Sequence, residues 1–282
     1  MQQVQEWVEA SAYGSSLGVR LDHVTAESAR VVLPFAEANS NPGQALHGGC
    51  AASLGLIGGH AVARTALGDG FATFHTASCQ VSYLAAAIGE DVVATTTLLR
   101  RGKEMCFAET TVATEAGKPI SHIATLVRGR PSTAPPPAVI ARGDDGATDP
   151  GEMGPFVGQL PFMAGRRLAV EHMSDGASRI VMPVGDANAD LAGGVHEGAA
   201  LALLDTTGAM AAWAETGAGP YKASTAALQA QVVGLLDVEE LVGYGRVAHR
   251  DGDLFWAEVE IADATAGTVH VRGTVVYRIV TS

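Results

Sequence analysis

Two short stretches carry residue types that could do chemistry. The first is Asn41-Pro42-Gly43-Gln44-Ala45-Leu46-His47-Gly48-Gly49, a polar loop running into a long Ala/Leu/Gly segment that reads as a helix. Backbone N–H groups at a helix start have no intrahelical partner and make ready donors for a developing oxyanion. The second is Asp205, a lone carboxylate in the apolar run Leu201-Ala202-Leu203-Leu204-Asp205-Thr206-Thr207-Gly208. Burying a carboxylate there is costly, so a base or nucleophile is one reading, and a helix acid satisfied by nearby N–H groups is the other. For Asn41 and Gly48 the plainer reading is a structural loop and helix cap.

Both stretches belong to a repeat. Shifted by 149 residues, His23 falls on His172, Arg30 on Arg179, Asn39 on Asn188, His47 on His196, Leu54 on Leu203 and Gln80 on Gln229. After one inserted residue the match resumes with Gly102 on Gly252 and Arg128 on Arg278. Two copies of one folding unit in a chain form an intramolecular dimer, and the differences between them point to where chemistry can occur. The expected division is a first domain over 1–128, a Pro/Gly/Asp-rich linker over 129–154, and a second domain over 155–282.

Each copy reads the same way. A short amphipathic segment precedes a strand-like alternation, then comes the loop and a helix that is hydrophobic nearly all round, over 50–67 and 199–216. Strand-like segments follow at 73–84, 91–100, 105–114 and 120–128, and at 223–235, 240–249, 254–263 and 268–280. One long helix followed by a strand meander predicts an α+β unit in which a curved antiparallel sheet wraps the helix. The sheet edge left open would be covered by pairing with the second copy.

Composition excludes several classes. The 282 residues are 47% hydrophobic and carry a net charge of -12, which argues against phosphate-backbone binding and anionic membrane docking. Cys50, Cys79 and Cys106 lack disulfide or metal-ligand spacing, and the nine histidines show no H-E-x-x-H pattern, so reduced thiols and no metal are expected. The first ten residues lack an apolar signal segment, and residues 50–63 are too short and Gly-rich for a membrane span; a cytoplasmic location is expected. Gly14-Ser15-Ser16-Leu17-Gly18 matches G-x-S-x-G in letters only, since no strand precedes it and no βαβ alternation follows.

The N-x5-H-G-G stretch at the head of a small-residue helix resembles the hotdog-fold thioesterases, with the PaaI-type acyl-CoA thioesterases as the branch it looks most like. Tyr83 and the Arg100-Arg101-Gly102-Lys103 turn fit that pattern. The resemblance covers both copies. It implies two tandem hotdog domains and hydrolysis of acyl-CoA thioesters between units, without metal or redox cofactor; coenzyme A enters as part of the substrate. In that family one unit supplies the Asn and the N–H of the glycine after His. The other supplies an acid nine positions beyond its own His, and a Ser/Thr on the next strand.

Carried over residue by residue, the resemblance gives only one complete set: Asn41, His47 and Gly48 from the first copy with Asp205 and Thr225 from the second. Gly48 would polarise the thioester oxygen, Asn41 orient substrate or water, Asp205 act as base or nucleophile, and Thr225 hold the water or Asp205. His47 would fix the turn. The reciprocal set has Asp190 and Glu197 for Asn and Gly, and Leu56 and Thr76 opposite, so a derelict second site is expected, with two carboxylates repelling a developing charge. Arg100, Arg101 and Lys103 are the candidate contacts for coenzyme A phosphates, against a solvated hairpin as the alternative. A homo-oligomer of the two-copy chain is expected by fold analogy. Two other functions fit the same residues: an acyl-CoA binding or sensing protein without turnover, and an enoyl-CoA hydratase or dehydratase, which would need a second titratable partner beside Asp205.

Overall fold

Helices of small residues can be enclosed on every side only if the surrounding backbone comes close, and this sequence builds its architecture on that approach. The structure, a computed structural model, describes residues 2–281. The first copy contains α1 (Gln2–Ala10), α2 (Ala12–Leu17), β1 (Arg20–Val24), β2 (Ser28–Leu33), α3 (Gly48–Leu67), β3 (Thr73–Tyr83), β4 (Val92–Arg101), β5 (Met105–Thr114) and β6 (Pro119–Arg130). The second contains α4 (Gly154–Val157), α5 (Pro161–Gly165), β7 (Ala169–Ser174), β8 (Ala177–Pro183), α6 (Gly185–Asn188), α7 (Glu197–Thr216), β9 (Lys222–Val232), β10 (Glu240–Asp251), β11 (Leu254–Asp263) and β12 (Val269–Val280). The long helices begin at Gly48 and Glu197, two residues before the apolar runs, because His47 and His196 cap them. The hairpin arms β1 and β7 are too short and polar to stand out in the sequence.

All twelve strands form one antiparallel sheet in the order β1-β2-β4-β5-β6-β3-β9-β12-β11-β10-β8-β7. The two halves join where β3 pairs with β9, and there Gln80 faces Gln229, the two residues that the 149-residue repeat superposes. The pseudo-twofold axis therefore passes between a residue and its own repeat. Each half wraps its long helix, as the resemblance implies.

Helices α3 and α7 pack against each other inside this sheet. A Cβ added to Gly49 would lie 2.5 Å from the Ala202 Cβ, so only glycine permits the crossing. Ser53 Oγ donates to Gly49 O at 2.7 Å or Gly198 O at 3.1 Å, tying one helix to the start of the other. The crossing brings the N-terminus of each helix against the third turn of its partner.

The connecting segment differs from a free spacer. β6 continues to Arg130, and the chain beyond it is strapped along the second half. Ile140 bridges Thr268, Ala141 N donates to Gly267 O at 2.9 Å, and Arg179 pairs with Asp144 at 2.6 Å. Among the described residues no helix is long and apolar enough to cross a membrane.

Candidate active site

The helix crossing creates a cleft of about 340 Å³ at the first turn of α3. Asn41, His47, Gly48, Asp205 and Thr225 all line it. Gly48 is the first residue of α3, and its N–H has no partner among the described residues. Its carbonyl is held by the Tyr83 hydroxyl, which donates to it at 3.0 Å. Asp205 lies so close that a Cβ on Gly48 would sit 2.6 Å from Asp205 Oδ2 and 3.4 Å from its Cγ. Gly48→Ala must therefore push the carboxylate aside. Since a displacement of an ångström in a reacting group costs on the order of 10²-fold in rate, the turnover at this site should fall about that much while the melting temperature changes little.

Asp205 is 3% exposed. Thr225 Oγ1 donates to Asp205 Oδ1 at 2.8 Å, which leaves Oδ2 facing the Gly48 side. Burial raises the Asp205 carboxyl to about 6, with the Thr225 hydrogen bond opposing the rise. A carboxylate with this value is ionised at neutral pH yet more basic than a surface acid. Thr225→Val removes the opposing bond, so the carboxyl should titrate higher still. The rising limb of a rate–pH profile should move to higher pH, with roughly tenfold less activity at pH 7 than the unaltered protein.

His47 is a positioning residue by its geometry. Its Nδ1 accepts from Gly49 N at 3.0 Å, its ring stacks on Phe162 at 3.8 Å, and its Nε2 lies 3.5 Å from Thr206 Oγ1. Burial, aided by the Arg166 charge, lowers its pKa to about 3, so the ring is neutral over the physiological range. His196 does the same for α7, accepting from Gly198 N at 2.9 Å. Asn41 has no side-chain cap bond, which leaves its amide free for a ligand.

The reciprocal site is filled. The two carboxylates expected to repel a developing charge there, Asp190 and Glu197, are both engaged. Glu197, the counterpart of Gly48, accepts from Thr76 N at 3.0 Å and lies 3.2 Å from His60 Nε2. Trp7 of α1 stacks between His60 at 5.3 Å and His196 at 5.2 Å, and its Nε1 donates to Asp190 at 3.3 Å. Arg64 lies over the Trp7 ring at 4.4 Å. Burial pushes the Glu197 carboxyl up, but His60 and Thr76 more than offset this and hold it below its ordinary value.

The proposed phosphate contacts are not brought to the cleft. The strand register runs Arg101 to Cys106, then Met105 to Arg128, then Arg128 to His75. Arg100, Arg101 and Lys103 therefore sit exposed at the end of the sheet where β3 begins, beside the filled site, whereas the cleft lies at the other end of β3 by Tyr83. Hairpin position was legible in the sequence, but which end of the sheet it occupied was not.

Sequence reasoning also missed Tyr277, which lines the cleft and accepts from Trp213 Nε1 at 3.2 Å. Burial raises its phenol to about 12, and the Asp205 charge contributes. Its counterpart is Val127, so a comparison of the copies could have found it. Arg166 was missed as well: fully buried, it donates to Asn39 Oδ1 at 3.2 Å and, in the opposite direction along the chain, Asn39 O accepts from His47 N at 2.9 Å. That chain of bonds fixes the loop in front of Gly48.

Fold and site together define a double-hotdog protein with a composite cleft between its repeats. Residues 36–129 match the family model described as the acyl-CoA thioesterase N-terminal domain. The chain is similar over 96% of its length to the whole of a tesB protein of Mycobacterium avium subspecies paratuberculosis, at 14% identity and a TM-score of 0.68. It is similar over 92% of its length to 95% of an acyl-CoA thioesterase II of Mycobacterium marinum, at 12% identity and a TM-score of 0.63. A hot dog fold protein of unknown function from Alicyclobacillus acidocaldarius matches 96% of the chain with 98% of its own, at 15% identity and a TM-score of 0.65. At these identities the likeness is one of fold. No curated relative matches the chain by sequence.

Proposed function

We propose that the chain hydrolyses acyl-CoA thioesters at a single site between its repeats. The observation that carries this reading is the free Gly48 N–H beside a buried carboxylate held by Thr225. The thioester oxygen accepts from Gly48 N–H and the Asn41 amide. Asp205 Oδ2 takes a proton from water as the water oxygen attacks the carbonyl carbon. The tetrahedral oxyanion collapses, the C–S bond breaks, and the coenzyme A thiolate leaves. Thr225 holds Oδ1 so that Oδ2 keeps its aim. A carboxylate tuned to about 6 suits a base. Single turnover in ¹⁸O-water, with hydroxylamine trapping, tests the choice: as base, Asp205 stays unlabelled and forms no hydroxamate, whereas an anhydride gives a hydroxamate, or labels Asp205 where water opens it at the aspartyl carbon.

The reaction uses no metal, redox or prosthetic cofactor, in keeping with a base, donors and leaving group that are complete without one. The HGG loop favours the PaaI-type branch, while the two-copy chain resembles the thioesterase II structures in architecture. Against the hydratase reading, the groups around Asp205 are Thr225, Tyr83 and Tyr277, and His47 is spent on Gly49. Leu99 and Phe107 are exposed on the sheet, which supports a homo-oligomer; light scattering on the purified chain tests that. The cytoplasm suits three free cysteines. A steady-state screen of acetyl-, octanoyl- and palmitoyl-CoA hydrolysis, followed by thiol release, tests the activity. Binding without release of thiol from any of them would mark a sensor instead.

A further inference from the structure

The filled site is a cast of the open one. Trp7 in the first copy is 5% exposed, and its ring is walled by His196, His60, Arg64 and Asp190. The repeat maps these walls onto His47, Ala209, Trp213 and Asn41. Three of the four line the open cleft. The residue that would fill it, Phe156, is instead 73% exposed. Its helix is the reason. Where α1 runs for nine residues, α4 has four, opening on Gly154-Pro155 and lying between Gly151 at φ +60° and Gly158, a short turn that leaves Phe156 at the surface.

Three other large side chains of the filled site are smaller in the open one, while Trp213 stands for Arg64 and Tyr277 for Val127. His60 becomes Ala209, Glu197 becomes Gly48, and Phe74, which stacks on Arg64 at 5.0 Å, becomes Ala223. Ala209, Ala223, Val157, Leu160 and Met163 line the apolar part, or slot, of the open cleft, together with the ring of Tyr277. Ala209 lies one helical turn beyond Asp205 on the same face of α7, so the slot opens beside the reacting carbon. Uncharged, mostly aliphatic walls match the acyl group of a thioester rather than its phosphorylated carrier.

We infer that Ala209 and Ala223 set acyl specificity: the acyl group occupies the volume that Trp7, His60 and Phe74 occupy in the sister site. This rests on the proposed hydrolysis. The test is Ala223→Phe, the residue already present at the equivalent strand position of the first copy. The ratio of kcat/KM for octanoyl-CoA to that for acetyl-CoA should fall at least 20-fold, on the order of the discrimination a few methylenes give. Thermal melting checks folding, and Ala223→Leu replaces the variant if Phe does not fold. An unchanged ratio in a folded variant overturns the slot alone. Absence of hydrolysis of every acyl-CoA by the unaltered chain overturns the activity itself, and the two failures are read separately.

Discussion

Asp205→Asn should reduce kcat/KM for acyl-CoA hydrolysis about 10³-fold, while the protein becomes more heat-stable at neutral pH. The rate loss follows from removing the one carboxylate that, among the described residues, lines the Gly48 side of the cleft, and general bases contribute on the order of 10²–10⁴. The stability gain follows from the cost of keeping the charge buried. The folded-state carboxyl titrates at about 6, above its ordinary 3.8. The folded protein therefore binds this proton more tightly than the unfolded chain. Below about pH 4 both states are protonated and the residue costs nothing; across 4 to 6 the folded state is progressively penalised as pH rises. Above 6 the penalty is complete, on the order of 3 kcal/mol for a shift of about two pH units. The amide keeps the Thr225 bond without the charge. Scanning calorimetry at pH 4 and pH 7.5 checks the sign: the variant should gain several degrees only at the higher pH. The unaltered enzyme's rate should rise with pH through about 6 and then level off. Equal hydrolysis by the variant would remove Asp205 from the mechanism.

Trp7→Ala should cost about 3–5 kcal/mol of stability, the usual range for emptying an aromatic site, or roughly 10 °C in melting temperature, with little change in hydrolysis. Trp7 holds together His60, His196, Arg64 and Asp190, none of which lines the open cleft. Its loss also admits water beside the buried Glu197–His60 pair. Glu197 should then lose its depressed pKa. In the intact protein its stabilisation is present above its ordinary titration range and disappears as pH falls through its folded value. Acid unfolding of Trp7→Ala should accordingly be less steep than that of the unaltered chain. No second activity is expected to appear, because Leu56 stands where a base would be needed. A large fall in hydrolysis with an intact melt would show that the filled site serves the open one.

Much of the site was legible because the chain carries its own control. Asn41 against Asp190, Gly48 against Glu197 and Leu56 against Asp205 are differences between aligned copies, and with the roles that the hotdog resemblance implies they leave one usable combination. Periodicity supplied the strands other than β1 and β7, and the two long helices, to within two or three residues, since alternation and all-round burial are local signals. Tyr277 and Arg166 escaped because their partners, Trp213 and Asn39, are 64 and 127 residues away. The Arg100–Lys103 turn was placed correctly in the hairpin and wrongly in the site, because a hairpin pattern does not say which end of the sheet it will occupy.

The amino-acid sequence by itself determined the duplication, the helix-and-meander unit and the choice of a lone carboxylate opposite a free helix start. Those rest on residue type and spacing, read within each copy and compared between the two. Only the tertiary structure decided that the sister site is packed shut by Trp7, that His47 is a neutral cap, and that the apolar slot lies open beside Asp205. These depend on antiparallel pairing of β3 with β9 and on the close crossing of α3 and α7, which set residues from different copies face to face. Burial then fixes their charge states, and burial is a property of the assembled chain.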